Sequence, residues 1–122
     1  MSEIAGGRKD DAGKDPWDLM PWGPVRDIVR VLEHGARKYE PENWRRVPNA
    51  RRRYFSAMMR HILAWWRGER IDADSGFPHL ACAGCSLLFL AALDQEGERP
   101  VTGPVEDGED VVLHATGMEP KP

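Results

Sequence analysis

Residues 60–79 read RHILAWWRGERIDADSGFPH, and this stretch joins two apolar segments of helical character. It contains the end of one helix, a glycine break at Gly68, three carboxylates within six positions, and a histidine, His79, where the next helix starts. On an ideal helix, His61 lies on the apolar stripe and Glu69 falls at the edge of that stripe two turns later. The pattern therefore directs a histidine and a carboxylate toward the expected core.

The three carboxylates are Glu69, Asp72 and Asp74. Burying an isolated charge costs free energy or shifts its pKa, so carboxylates on a buried face are usually paired or bind a metal. Clusters of oxygen ligands suit Mg²⁺ or Mn²⁺ better than zinc. A purely structural explanation has Asp72 in a turn and Asp74 or Ser75 as the cap of the next helix, but capping accounts for one acid and not for three.

Length and composition indicate at most one folded domain, because the chain has 122 residues and domains peak at about 100–150. We expect a flexible lead-in over residues 1–20 anchored by Trp17, a folded helical domain over residues 21–95, and a flexible acidic tail over residues 96–122. Within the tail, residues 111–114 could pair as a short strand.

The charge is unevenly distributed although the net charge is only −3. Residues 37–70 contain ten basic and three acidic side chains, whereas residues 94–122 contain eight acidic and two basic ones. A basic centre of this kind requires an anionic partner, such as phosphate, nucleic acid or the acidic tail of the same chain.

The two cysteines, Cys82 and Cys85, lie in a C-A-G-C spacing inside an apolar helix. A redox motif would open a helix after a strand and a zinc knuckle would need a second pair, so small buried packing residues are the favoured interpretation. No secretory signal is evident, and we expect a cytoplasmic protein. The longest apolar run, residues 80–93, is shorter than the roughly 20 residues that cross a bilayer, so no membrane partner is expected.

Hydrophobic periodicity predicts three helices, over residues 25–39 behind Pro21 and Pro24, over residues 50–67, and over residues 77–94. The third helix is apolar on every side and must lie in the middle of the assembly. Because three short helices can hardly bury it, we predict an all-α fold, a compact three-helix bundle completed by oligomerisation to a dimer or tetramer.

Two further segments carry candidate ligand-binding residues. The loop at residues 40–49 places an amide, an indole and two guanidinium groups side by side at residues 43–46, a combination that suits a nucleotide, although Trp44 could instead cover the core. On the first helix, Asp27, Val31, His34 and Lys38 form a line that is either a solvated face or a wall for metal and phosphate.

Three segments together resemble a known phage family: GARKYEPENW at residues 35–44, RHILAWWRGERIDADSG at residues 60–76 and HLACA at residues 79–83. The family is the dATP/dGTP diphosphohydrolase branch of the all-α, MazG-like nucleotide pyrophosphohydrolases, and the resemblance spans about residues 24–93. It implies an oligomeric helical bundle with two or more Mg²⁺ or Mn²⁺ ions on carboxylates. It also implies cleavage of dGTP or dATP to the monophosphate and pyrophosphate, within phage nucleotide metabolism in the host cytoplasm, where dGMP could feed 2-aminoadenine nucleotide synthesis.

Matched to the family motifs, the implied metal ligands are Glu69, Asp72, Asp74 and Asp27, and the implied nucleotide contacts are Lys38, Asn43 and Trp44. Asp27 and Asp74 replace a usual glutamate, and Cys82 replaces a histidine that is frequent in relatives. Phosphoryl transfer also needs charge neutralisation and an oriented water. We therefore expect further phosphate contacts from four arginines, Arg45, Arg46, Arg53 and Arg60. The predicted catalytic residues are Glu69 and Asp72, together with His61 and His79 as groups that orient ligands or carry a proton.

Two other functions compete with this hypothesis. An arginine-rich nucleic-acid-binding protein would show affinity that falls steeply with salt and does not depend on the carboxylates. An inactive structural oligomer would use those carboxylates only for stability. The three acids beside a basic surface favour the enzyme, and we expect a deoxynucleoside triphosphate rather than a stable nucleic-acid partner.

Overall fold

Three α-helices of 17 residues each form the fold: α1 (Trp22–Lys38), α2 (Ala50–Trp66) and α3 (His79–Gln95). The structure is a computed structural model that describes residues 6–97, and it adds short 3-10 helices at Trp17–Leu19 and Asn43–Arg46. In the described range there is no strand, only an isolated β-bridge between Ile71 and Pro78. The all-α prediction is confirmed, whereas the short strand expected at residues 111–114 and nearly all of the acidic tail lie outside the described residues.

The helix limits differ from the prediction at two of the three N-termini. α1 begins at Trp22 and places Pro24 in its first turn, where a missing N–H costs no intrahelical hydrogen bond. α3 begins at His79, two residues later than expected, because the N–H of Phe77 is bonded to the hydroxyl of Ser75. The predicted cap by Asp74 or Ser75 is therefore wrong: Pro78 occupies the N-cap position without a side-chain hydrogen bond.

α3 is the central helix, as its apolar sequence predicts, because α1 and α2 both pack against it. The described side chains with the least exposure all belong to α3: His79, Ala81, Cys82, Ala83, Cys85, Ser86 and Leu93. α1 lies close to α3 at Gly84, where a Cβ atom would lie 2.7 Å from the Cδ1 atom of Ile28. A glycine at this position thus allows α1 to pack against the central helix.

Several large apolar side chains remain exposed on the outer faces of α2 and α3, namely Leu63, Trp66, Leu80, Leu87 and Leu88. A second subunit could cover this surface, and the oligomer stays a prediction. No helix of the described region is long and apolar enough to cross a membrane.

The chain before α1 is attached to it through two tryptophans. The indole N–H of Trp22 donates a hydrogen bond of 3.1 Å to the carbonyl of Trp17, and the two rings stack with centroids 6.3 Å apart. Trp17 therefore holds the lead-in against the first turn of α1.

Candidate functional site

A cleft of about 1150 Å³ lies between α1 and α2, with α3 as its base. Residues of the 39–47 loop border it on one side and residues 72–75 on another. The cleft exists because α1 and α2 pack mainly on α3 and not on each other. The base carries Cys82, Cys85, Ser86 and Phe89.

Eight predicted site residues line this cleft, and five do not. Those that line it are Lys38, Asn43, Trp44, Arg53, Arg60, His61, Asp72 and Asp74. Those that lie outside it are Asp27, Arg45, Arg46, Glu69 and His79. On α1, the predicted polar line is divided: Val31, His34 and Lys38 face the cleft, and Asp27 does not.

The end of α2 determines where Glu69 lies. Gly68 adopts φ +104°, and the N–H groups of Gly68 and Glu69 bond to the carbonyls of Trp65 and Ala64. This is a Schellman motif, which terminates the helix at its glycine. The ideal-helix prediction that Glu69 lies at the edge of the apolar stripe of α2 is therefore wrong. Glu69 lies past the helix end, and its side chain is 56% exposed.

Glu69, His79 and His61 form a chain of hydrogen bonds toward the cleft. Nε2 of His79 lies 3.0 Å from a carboxylate oxygen of Glu69, and Nδ1 of His79 lies 2.8 Å from Nδ1 of His61. When both rings are neutral, His79 donates from Nε2 to Glu69 and His61 donates from Nδ1 to His79. This assignment leaves Nε2 of His61 unprotonated, and burial, which outweighs the nearby Asp72, lowers the pKa of His61.

Asp72 organises the turn that leads into α3. Its carboxylate accepts hydrogen bonds from the hydroxyl of Ser75 at 2.8 Å and from the N–H of Asp74 at 3.3 Å, and its carbonyl accepts one from the N–H of Gly76. Partial burial alone would raise the pKa of Asp72, but these hydrogen bonds and the nearby His61 outweigh it and lower that pKa. The turn that the purely structural explanation places at Asp72 is present, and its carboxylate is held ionised.

The cleft brings together fewer of the four predicted metal carboxylates than the sequence suggested. Asp72 and Asp74 both line it, while Glu69 is bonded to His79 and Asp27 lies outside. Within residues 6–97, one group of three donors has ligand atoms within 4.8 Å of one another, and it consists of His61, Asp72 and Cys82. Two carboxylates still fit Mg²⁺ or Mn²⁺, because such ions usually keep several waters and take their other ligands from substrate phosphates.

The arginines of the 43–46 segment are already paired with acids. Arg45 forms salt bridges with Glu42 at 2.7 Å and Glu96 at 2.6 Å, and Arg46 forms one with Glu40 at 2.9 Å. In contrast, the cleft-lining cations form no salt bridge within the described range; they are Lys38, Arg52, Arg53 and Arg60. Arg53 donates a long hydrogen bond of 3.4 Å to the carbonyl of Pro48, and no described carboxylate neutralises any of the four.

The aromatic side chains of the cleft differ in accessibility. Trp44 stacks on Phe89 with ring centroids 4.5 Å apart, and the guanidinium of Arg45 lies 4.3 Å from its ring, so Trp44 covers the base of the cleft. Tyr54 fixes the same segment by donating its hydroxyl hydrogen to the carbonyl of Trp44. Tyr39 lines the cleft with 62% of its surface exposed, and the ammonium of Lys38 lies 5.3 Å from its ring centroid.

Three cleft residues with side chains that suit ligand binding are not among the site residues predicted from the sequence: Tyr39, Arg52 and Cys82. The signal for Arg52 was its place in a run of three arginines on one helix, of which we chose only Arg53. Tyr39 directly follows the predicted Lys38. The signal for Cys82 was that it replaces a histidine frequent in relatives, but its two donor neighbours come from other parts of the chain.

Comparison with known proteins identifies relatives for most of the chain. Residues 5–101 match the family model described as dATP/dGTP diphosphohydrolase, N-terminal. A dATP/dGTP diphosphohydrolase of Salmonella phage PMBT28 is 32% identical over 84 residues, which are 69% of this chain and 28% of that protein. The alignment thus spans less than a third of that relative's length. No solved structure matches the chain.

Proposed function

The chain belongs to the dATP/dGTP diphosphohydrolase family, and from that premise we propose that it hydrolyses a purine deoxynucleoside triphosphate to the monophosphate and pyrophosphate. The observation that carries the proposal is one cleft that combines four cations with two carboxylates, none of which forms a described salt bridge: Lys38, Arg52, Arg53 and Arg60 with Asp72 and Asp74. The cations would neutralise the charge of a triphosphate, and the carboxylates would bind the divalent cation that accompanies it.

Lys38 on α1 and the three arginines on α2 form opposite sides of the cleft. A triphosphate between them would be neutralised from both sides, with each guanidinium able to bind two phosphate oxygens. Because α1 and α2 are separate elements on α3, closing them on the phosphates would also exclude water from the reacting bond.

Asp72 and Asp74 would hold Mg²⁺ or Mn²⁺ together with phosphate oxygens. When bound, such ions neutralise developing charge and lower the pKa of the attacking water. His61 is held by His79, and a ring nitrogen of His61 lies within 4.8 Å of the Asp72 carboxylate, where the ring can orient a ligand or hold a proton. Glu69 would act indirectly, because its hydrogen bond fixes the ring of His79, which in turn holds His61.

Base recognition would use the 39–44 side of the cleft. The amide of Asn43 can read a base edge, and the exposed ring of Tyr39 offers a stacking surface. Trp44 would support this surface from below through Phe89 rather than contact the base directly.

We further propose that the protein is a MazG-like homo-oligomer acting in phage nucleotide metabolism in the host cytoplasm. The exposed apolar surface of α2 and α3 supports an oligomer. The enzyme can supply dGMP for 2-aminoadenine nucleotide synthesis only if dGTP is a substrate, and hydrolysis assays with the four dNTPs measure this.

The proposed reaction is tested by incubating the protein with each of the four dNTPs and Mn²⁺ and separating the products by ion-exchange chromatography. We expect dGTP or dATP to give the monophosphate and pyrophosphate in equal amounts. If the folded protein leaves all four intact, the proposal is wrong. Binding to DNA or RNA that falls with salt and is indifferent to Asp72 would then favour the nucleic-acid-binding alternative.

Arg60→Ala should lower kcat/KM for the triphosphate by about 10-fold to 100-fold, because a lost charge-assisted hydrogen bond costs about 1.5–3 kcal/mol. Arg67→Ala is the matched control, since Arg67 is also an exposed arginine at the end of α2 but lies outside the cleft. Steady-state kinetics measure both variants. Equal losses in the two would mean that Arg60 contributes only general positive charge.

A further inference from the structure

An imidazole, a carboxylate and a thiol meet beside the 72–75 turn. The ligand atoms of His61, Asp72 and Cys82 all lie within 4.8 Å of one another, and all three residues line the cleft. They come from α2, the α2–α3 loop and α3, so the tertiary fold brings them together. We propose that they form a binding site for a thiophilic divalent cation of the Zn²⁺ and Co²⁺ class, distinct from the Mg²⁺ or Mn²⁺ that accompanies the nucleotide.

The donor set determines the class of ion. A thiolate sulfur and an imidazole nitrogen bind zinc-like ions well, whereas Mg²⁺ takes oxygen ligands almost exclusively. Three protein ligands with a fourth position open to a cleft are the usual arrangement of a zinc site that also binds water or substrate. With every separation within 4.8 Å, small side-chain movements can bring the three ligand atoms to coordination distance of one ion.

Neighbouring residues already orient each ligand. Nδ1 of His61 is bonded to His79, which is bonded to Glu69, and this leaves Nε2 of His61 as the ring nitrogen that can bind an ion. The hydroxyl of Ser75 lies 2.8 Å from Asp72 and 3.9 Å from the sulfur of Cys82, so it links the other two ligands. Such supporting contacts are characteristic of metal ligands.

Cys82 is 8% exposed, and burial raises the pKa of its thiol. In the ion-free protein the sulfur is therefore protonated, and binding releases this proton as the sulfur becomes a thiolate ligand. Asp72 has two oxygens and can contribute one to this ion and the other to a nucleotide-bound ion. The site does not depend on the proposed hydrolysis, since it can be occupied in the absence of nucleotide.

The test is titration of the reduced, full-length chain with Co²⁺ alone, followed by its absorption spectrum. We expect one Co²⁺ per chain with a near-ultraviolet thiolate-to-cobalt charge-transfer band, which Zn²⁺ abolishes by displacement. Cys82→Ser should lose the band. Cys85→Ser should keep it, because Cys85 is a second buried thiol of the same cleft but lies outside the group of three.

A wild-type spectrum without a charge-transfer band, or a band that survives Cys82→Ser, would overturn the proposal. Circular dichroism checks that both variants are folded. Independently of any variant, X-ray absorption of the zinc-loaded protein should show one sulfur at about 2.3 Å beside nitrogen and oxygen ligands at about 2.0–2.2 Å. A zinc coordination shell that contains only nitrogen and oxygen ligands would also refute the site. Because no nucleotide is present, these outcomes are separate from the success or failure of the hydrolysis assay.

Discussion

Asp72→Asn should lower kcat for triphosphate hydrolysis by at least about 100-fold while the protein remains folded. Asp72 is the cleft carboxylate whose pKa is lowered, chiefly because hydrogen bonds from Ser75 and Asp74 outweigh the effect of burial. The two hydrogen bonds go to different oxygens of Asp72, so the asparagine oxygen can accept from the N–H of Asp74 while its amide N–H donates to the hydroxyl oxygen of Ser75. The turn should therefore survive while the negative charge is removed. The measurement is kcat at saturating nucleotide and Mn²⁺, together with the melting temperature.

Asp18→Asn serves as the control, because it removes the same charge from an exposed residue outside the cleft. It should leave kcat unchanged. If Asp72→Asn also leaves kcat unchanged, the carboxylate only forms the turn and does not hold the catalytic ion. An intermediate loss in Asp74→Asn would indicate that the second carboxylate shares the ion.

The helical architecture could be predicted from local sequence patterns. The predicted second helix, residues 50–67, differs from α2 by one residue, because the glycine break at Gly68 is a signal within the chain itself. The central position of α3 followed from its lack of a polar face. The start of α3 could not be read in this way, because it depends on hydrogen bonds of Ser75 and Asp72 that hold Phe77 in the loop.

The site was less predictable because its pairings join residues that are far apart in sequence. Arg45 appeared free for phosphate until Glu96, 51 positions later, was found to bind it. Trp44 appeared free for a base, but Phe89 stacks on it. Cys82 was interpreted as a packing residue because His61 and Asp72, which lie far from it in sequence, approach it only in the folded chain. Sequence spacing identified residue types that suit nucleotide chemistry, but not which of them remain available.

Gly84→Val should lower the free energy of unfolding by about 1–3 kcal/mol, the usual cost of overpacking. A Cβ atom at this position would lie 2.7 Å from Cδ1 and 3.3 Å from Cγ1 of Ile28, so Ile28 must change rotamer or α1 must move away from α3. Displacing α1 would also move Lys38 and widen the cleft, and hydrolysis should weaken with stability. Urea unfolding measures the first effect and kcat/KM the second.

Gly35→Val is the matched control for the stability measurement only, because Gly35 is also inside a helix and a Cβ there meets nothing within 4 Å, but it lines the cleft. Its stability should change little, since valine is a slightly better helix former than glycine. In an Ile28→Ala background the same Gly84→Val change should cost less, with a coupling energy of about 0.5–3 kcal/mol between the two positions. Additive effects would show that α1 does not pack against α3 through this contact, and that another contact determines the width of the cleft.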